Sequence, residues 1–277
     1  MRKSKLLMEV PNGVFLLKKD FDQESNWRSD NCYKFIYSLN GAMTYQTNRN
    51  QLILYEQQFI LFNPQDEHKQ LAVDDKKFLI ELNPSFLNEI ARFLSPMHYY
   101  DIQFASFVQK YPQLTNWVQF VLQYVQLEQD EITESTEIFL EHSITQLALI
   151  LVKSAVGTHT NDINIHTHKT IHPELYKTIS AMKENFQHAW TLDEMANVSR
   201  LSKYQFAHYF KEIIGISPYS WLQIYRIIRS QEMLKNTDKT ILNIAMECGF
   251  SSVAIYNQLF KRLYGITPGL FRRMVRR

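Results

Sequence analysis

From Tyr33 to Asn83 the chain breaks into short runs of apolar residues: Tyr33 to Leu39, Met43 to Thr47, Leu52 to Tyr55, Phe59 to Phe62, Gln70 to Val73 and Phe78 to Leu82. Turn-forming residues separate them, among them Asn40-Gly41, Asn48-Arg49-Asn50, Asn63-Pro64 and Asp74-Asp75. Many short strands at close spacing predict a small barrel or sandwich. After Pro84 the period changes. Phe86, Ile90 and Phe93 open a helical pattern, and Leu114, Trp117, Val118, Val121, Leu122 and Val125 mark one face of a second helix. A third runs from about Thr133 to Ala155, with Leu140, Ile144, Leu147 and Leu151 in line.

Residues 157–171, GTHTNDINIHTHKTI, have neither periodicity nor enough large apolar side chains to pack, so they read as a linker. Residues 1–156 then form one domain, 157–172 the connection and 173–277 a second domain. His159, His166, His168 and His172 sit in that connection, but a flexible segment supplies neither positioned ligands nor outer partners, and no metal site is expected.

From Pro173 onward the pattern is helical and contains a diverged repeat. Thr191, Leu192, Met195 and Ala196 correspond to Thr240, Ile241, Ile244 and Ala245; Ser202, Phe206, Phe210, Lys211, Gly215 and Pro218 correspond to Ser252, Tyr256, Phe260, Lys261, Gly265 and Pro268. Each copy opens with a Thr able to cap a short helix, and its small Ala lets a second helix approach closely. A turn follows, then a Ser able to cap that second helix. This predicts helix-turn-helix units at about 191–214 and 240–264. In the second helices Phe206, Tyr209, Phe210 and Ile213, and Tyr256, Leu259, Phe260 and Leu263, form inward stripes. Tyr204, Ala207, His208 and Lys211, and Ala254, Asn257, Gln258 and Lys261, face outward. A longer helix from Ser217 and Pro218 to about Lys235 joins the units, with Trp221 and Tyr225 among its packing residues.

Charge sharpens this picture. Residues 173–277 carry 15 Lys and Arg against 8 Asp and Glu, whereas residues 1–172 carry 15 against 20, an asymmetry hidden in the formal net charge of +2. Excess positive charge confined to one domain suits a polyanion, because Lys and Arg release counterions from phosphates. Lys203, Lys211, Lys261 and Arg262 are the phosphate candidates, and the terminal Arg272, Arg273, Arg276 and Arg277 add to the basic end. Few carboxylates are expected on the outward faces, whose small and amide side chains suit base edges and thymine methyls. A solvated basic face that binds an acidic protein partner is the competing reading.

The basic start (Arg2, Lys3, Lys5) is followed at once by Glu9 and Pro11, which excludes a signal peptide pattern, and no stretch predicts a membrane span. Cys32 and Cys248 are the only cysteines, far apart, and fit a reducing cytoplasm. A nucleophilic-cysteine enzyme with a DNA-binding tail is a further alternative, but Cys32 has no adjacent His or Glu arrangement and Cys248 falls at the second helix-turn-helix turn, where a small buried residue is expected, so no enzyme and no cofactor are expected.

IAMECGFSS at 244–252, LFKRLYGITP at 259–268 and YFKEIIGISP at 209–218 stand in an order and spacing that resemble the AraC/XylS family of transcription regulators, over about residues 173–274. The resemblance implies an α+β chain. Its N-terminal part would be a small cupin-like β-barrel with following dimerisation helices, and its C-terminal part an all-α domain of two helix-turn-helix units joined by a long helix. It implies a sequence-specific regulator of double-stranded DNA, a homodimer through helices between about residues 113 and 156, and, for an activator, RNA polymerase as a partner. By position its DNA base contacts fall on Tyr204, Ala207, His208, Val253, Ala254, Asn257 and Gln258. The family commonly has Arg where this chain has His208, and Gln258 stands at the matching place in the second copy; neither can form an Arg fork on guanine. A metal-binding cupin pattern is missing, since the barrel region offers only His68, expected at a surface or pocket rim. Phe35, Tyr37, Tyr45, Phe62 and His68 are the candidates for a small-molecule effector pocket, because a barrel of this size can hold one small ligand.

Overall fold

A computed structural model of the chain describes residues 5–19, 26–48, 50–73, 76–94, 101–127, 133–160 and 173–276. Two compact units divide it, residues 1–155 and 156–277.

The first unit holds β1 (Lys5–Val10), β2 (Gly13–Lys19), β3 (Tyr33–Ser38), β4 (Met43–Thr47), β5 (Gln51–Leu54), β6 (Phe59–Phe62), β7 (His68–Val73) and β8 (Lys76–Leu82), followed by α1 (Pro84–Leu94), α2 (Pro112–Leu127) and α3 (Glu134–Ser154). The six expected strands correspond to β3 to β8; β1 and β2 are additional. All strand pairs are antiparallel and fall into a five-stranded sheet, β1-β2-β8-β3-β6, and a three-stranded sheet, β5-β4-β7. The cupin-like barrel is therefore corrected to two open sheets. A barrel needs every strand paired along both edges, and β1, β6, β5 and β7 each pair with one named strand only.

Burial explains why β3 and β6 lack alternation, being buried at every position. On one side of the five-stranded sheet Tyr33, Phe35, Tyr37, Phe59, Leu61, Phe78 and Ile80 join a core with Leu87 of α1, Leu114 and Val118 of α2 and Leu140, Ile144 and Leu147 of α3. On the other side Ile36, Ile60, Phe62 and Leu79 meet Met43, Tyr45, Leu52 and Leu54 of the three-stranded sheet. A sheet covered on both faces has no place for polar alternation. Gly13 permits the closest approach: a Cβ there would lie 2.4 Å from the Glu81 carbonyl oxygen and 2.5 Å from Ile144 Cδ1.

The second unit holds α4 (Pro173–Glu184), α5 (Leu192–Val198), α6 (Lys203–Ile214), α7 (Pro218–Asn236), α8 (Ile241–Glu247), α9 (Val253–Tyr264) and α10 (Pro268–Val275). Thr191, Ser202, Ser217, Thr240, Ser252 and Thr267 each cap the helix that follows through a side-chain oxygen. Gly215 and Gly265 end α6 and α9 at φ 88° and 76°, the left-handed conformation that releases the chain from a helix. The joining helix α7 is buried along most of its length, including Trp221, Leu222, Ile224, Ile227, Ile228 and Leu234. Of the expected linker, Gly157 and Thr158 are buried, and Lys235 Nζ of α7 donates to the Thr158 carbonyl at 3.5 Å. His166, His168 and His172 lie outside the described residues.

Candidate nucleic-acid interface

Both helix-turn-helix units are assembled by the same local chemistry. Thr191 Oγ1 accepts from the Glu194 amide at 3.2 Å, and Glu194 Oε2 accepts from the Thr191 amide at 2.7 Å, a reciprocal cap. The backbone hydrogen bond from Thr191 holds the Glu194 carboxyl below its ordinary range. In the second copy Thr240 Oγ1 accepts from the Asn243 amide at 3.1 Å. The turns close alike: the Leu201 amide donates to the Ala196 carbonyl at 3.2 Å, and the Phe250 amide to the Ala245 carbonyl at 3.0 Å. Both alanines are buried, which lets the paired helices cross closely. Where the second turn uses Gly249 at φ 80°, the first places exposed Arg200 at φ 54°, an uncommon conformation for a side chain of that size.

The inward stripes pack against the joining helix. Phe206 and Phe210 are fully buried, and Phe210 meets Trp221 edge-on at 6.3 Å. Tyr256, Leu259, Phe260 and Leu263 are buried in the second copy, with Phe260 against Phe271 of α10 at 5.6 Å.

The residues expected to face outward differ in exposure. Tyr204 is 81% exposed and the His208 side chain 84% exposed, with Ala207 between them partly covered. On α9, Ala254 and Gln258 are exposed and Val253 and Asn257 half-buried. Lys203, Lys211, Lys261 and Arg262 are all exposed. The two faces differ in charge. Lys203 Nζ lies 3.4 Å from Asp193 Oδ1, and His208 Nδ1 lies 3.9 Å from Glu212 Oε2, so the first face carries two carboxylates, while α9 has no acidic residue. Glu212 and Arg200 are surface groups that composition and period did not single out. Arg200 is set apart only by its backbone conformation, and Glu212 by standing one turn after His208.

Part of the basic C-terminal end is structural. Arg276 Nε donates to the Leu234 and Lys235 carbonyls at 2.9 and 3.1 Å, its guanidinium also meets the Thr237 carbonyl, and Nη1 pairs with Asp238 at 2.7 Å. Arg272 Nη2 donates to the Lys239 carbonyl at 2.6 Å. These two arginines satisfy the carbonyls at the end of α7 and in the loop after it.

The five effector-pocket candidates are buried but not brought together. Phe35 and Tyr37 face the helices, whereas Tyr45 and Phe62 lie between the sheets, with the His68 ring stacked on Phe62 at 4.2 Å. His68 is 1% exposed, which corrects the expectation of a surface or rim position. Its Nδ1 lies 2.8 Å from the Asp66 carbonyl oxygen, its Nε2 lies 4.0 Å from Asp30, and burial pulls its pKa down to about 4. Nearby, buried Lys77 Nζ donates to Gln70 Oε1 at 3.1 Å and lies 5.4 Å from the centre of the Tyr45 ring. Burial pushes both thiols, Cys32 and Cys248, up to about 12, the opposite of nucleophile activation. Among the described residues no group of three or more His, Cys, Asp or Glu could hold a metal ion, and no helix is long and apolar enough to cross a membrane.

Comparison with known proteins places this geometry. Residues 195–274 match the model of a family described as "Helix-turn-helix domain". The chain is 33% identical over 129 residues to the virulence regulon transcriptional activator VirF of Yersinia enterocolitica, covering 47% of this chain and 46% of that protein. It is 25% identical over 161 residues to the RCS-specific HTH-type transcriptional activator RclR of Escherichia coli, covering 58% of this chain and 56% of that one. The chain thus spans about half the length of these relatives. A crystal structure of a transcriptional regulator from Chromobacterium violaceum, described by its AraC-type DNA-binding domain, is 28% identical, with 37% of this chain and 92% of that chain covered and a TM-score of 0.36.

Proposed function

We propose, from the premise that residues 195–274 form a helix-turn-helix domain of the AraC type, that this chain is a sequence-specific DNA-binding transcription regulator and an activator. One observation carries the reading: α6 and α9 are built by the same sequence of cap, small-residue seam, turn and second cap, and each turns an aromatic stripe into the core and a polar stripe outward. Helices of this length fit the major groove, where their N-terminal residues meet base edges. Tyr204, Ala207 and His208 read one segment and Val253, Ala254, Asn257 and Gln258 the next, while Lys203, Lys211, Lys261 and Arg262 contact phosphates. Activation is supported by two relatives that are themselves named as activators, and an activator would take RNA polymerase as its partner. Fluorescence anisotropy with genomic fragments tests the reading: a few fragments should bind far more tightly than the rest, and equal affinity for all would overturn it.

Dimerisation falls on α2 and α3. The sixteen residues of α2 contain no charged side chain, Phe120 is 53% exposed, and Tyr124 stacks on Phe139 of α3 at 3.7 Å. A charge-free aromatic face meets its own copy across a two-fold axis without repulsion. Sedimentation should give a dimer that Phe120→Glu dissociates. An effector would lie between the sheets near Tyr45, Phe62 and His68, where Lys77 and Gln70 set polar groups among apolar ones. DNA affinity indifferent to every member of a metabolite panel removes that part of the reading.

A further inference from the structure

The loop between α4 and α5, Asn185–Trp190, is held by three other parts of the second unit. Arg226 of α7, 4% exposed, donates from Nε to the Phe186 carbonyl at 2.7 Å and from Nη2 to the His188 carbonyl at 2.7 Å. The Phe186 ring stands edge-on to Tyr225 at 5.9 Å and lies 5.9 Å from the Arg229 guanidinium. From the other side comes Gly249, in the turn of the second helix-turn-helix unit. A Cβ on Gly249 would lie 2.6 Å from the Gln187 carbonyl oxygen and 2.7 Å from Gln187 Cα. Only a residue without a side chain allows the turn to rest there. The third contact is with the first helix-turn-helix unit: His188 Nε2 lies 3.2 Å from Glu194 Oε1, in the cap of α5.

Burying a guanidinium is costly unless its donors are satisfied, and a rigid fork on two carbonyls of one loop fixes the shape of that loop. Arg226 therefore belongs to the framework and not to the phosphate-binding charge. The joining helix, on which both helix-turn-helix units pack, is one tie between them. Contact of Gly249 with Gln187 is a second tie, and Arg226 locks the piece on which it rests.

We infer that Arg226 and Gly249 are positioning residues for DNA recognition, which fix α6 relative to α9 through the Asn185–Trp190 loop and so set the base-pair spacing between the two segments one chain reads. This rests on the regulator reading above. One inserted base pair shifts the second segment by about 3.4 Å and turns it by roughly 35°, a mismatch that a rigid pair of helices cannot follow.

The test uses the full chain and a duplex it selects from a random-sequence library, with variants of that duplex carrying one or two base pairs inserted between the segments. For the unaltered protein an insertion should cost on the order of 100-fold in affinity, the loss expected when two linked contacts can no longer engage together. Arg226→Lys, which keeps the charge, and Gly249→Ala should bind the selected duplex more weakly yet lose less than about tenfold on insertion. Their affinity for a duplex holding one segment alone should be unchanged, which also reports that the variant is folded. If one variant loses that single-segment binding, the other carries the comparison. A spacing profile identical to that of the unaltered protein overturns the inference alone. Failure of the unaltered protein to select any duplex overturns the regulator reading and this inference with it.

Discussion

The Tyr256 hydroxyl of α9 donates to Ser230 Oγ of α7 at 3.1 Å, both groups buried, and Ser230 Oγ in turn donates to the Ile227 carbonyl at 2.6 Å. The outward helix of the second unit is thus tied to the joining helix by a polar contact as well as by packing. Phe206 stands at the matching place on α6, in the first helix-turn-helix unit, without a hydroxyl. Tyr256→Phe removes the tie and leaves Ser230 still bonded, so the cost should be about 1 kcal/mol. Hydrogen exchange of the α7 and α9 amides measures it; an unchanged exchange rate there would refute the assignment.

Lys211 and Lys261 contrast with Arg276. Replacing either lysine by Ala should weaken binding to all duplexes and lower the slope of log affinity against log salt by about one unit. Arg276→Ala should instead reduce stability by about 1 to 3 kcal/mol, because several carbonyls at the end of α7 lose a charged donor. Its salt slope should not move. A reduced slope for Arg276→Ala would add that residue to the phosphate-contacting set.

Gln258→Ala and Asn257→Ala should change preference at one or two base pairs by about 1 to 3 kcal/mol each while leaving the salt slope intact. Binding to a panel of duplexes mutated one pair at a time shows this. A uniform loss at every duplex would mean that these side chains do not read bases.

His68 gives the first unit a pH-dependent stability. The unfolded chain takes up its imidazole proton near the ordinary value of 6.5, and the folded unit only at about 4. The contribution is therefore complete above pH 6.5, declines as pH falls through that value, and is gone near 4. At its fullest it amounts to about 3 kcal/mol. Urea unfolding at pH 7 and pH 5 should show a steeper loss for the unaltered chain than for His68→Gln. Equal losses would show that the buried ring does not control the slope.

Most of the second unit was legible because its helices carry their own punctuation. Ser or Thr opens α5 to α10, and Gly215 and Gly265 close the two outward helices, so local chemistry alone places the ends. Strands β3 to β8 were marked by their turns in the same way. The choice between closed barrel and open sheets depends on which edges pair, and β8 pairs with β2 and β3 across long stretches of chain. β1 and β2 carry a weaker signal, because KLLMEV and GVFLLKK show no clean alternation. The structural roles of Arg226 and Arg276 are not legible in the sequence, because charge is visible there and burial and hydrogen bonding are not. Phe35 and Tyr37 point from one face of the five-stranded sheet and Phe62 from the other, toward Tyr45 of the second sheet, because alternating strand positions point to opposite sides.

The unlike charge of the two outward faces has a consequence for geometry on the genome. One presents His208 beside Glu212, the other Gln258 beside Arg262. Because these faces are covalently joined in a fixed order, a single molecule laid along a duplex has a head and a tail. On the proposed function its binding sequence need not be a palindrome, and a site reversed end to end would be a different site, so each bound chain would point toward one flank of the DNA and away from the other.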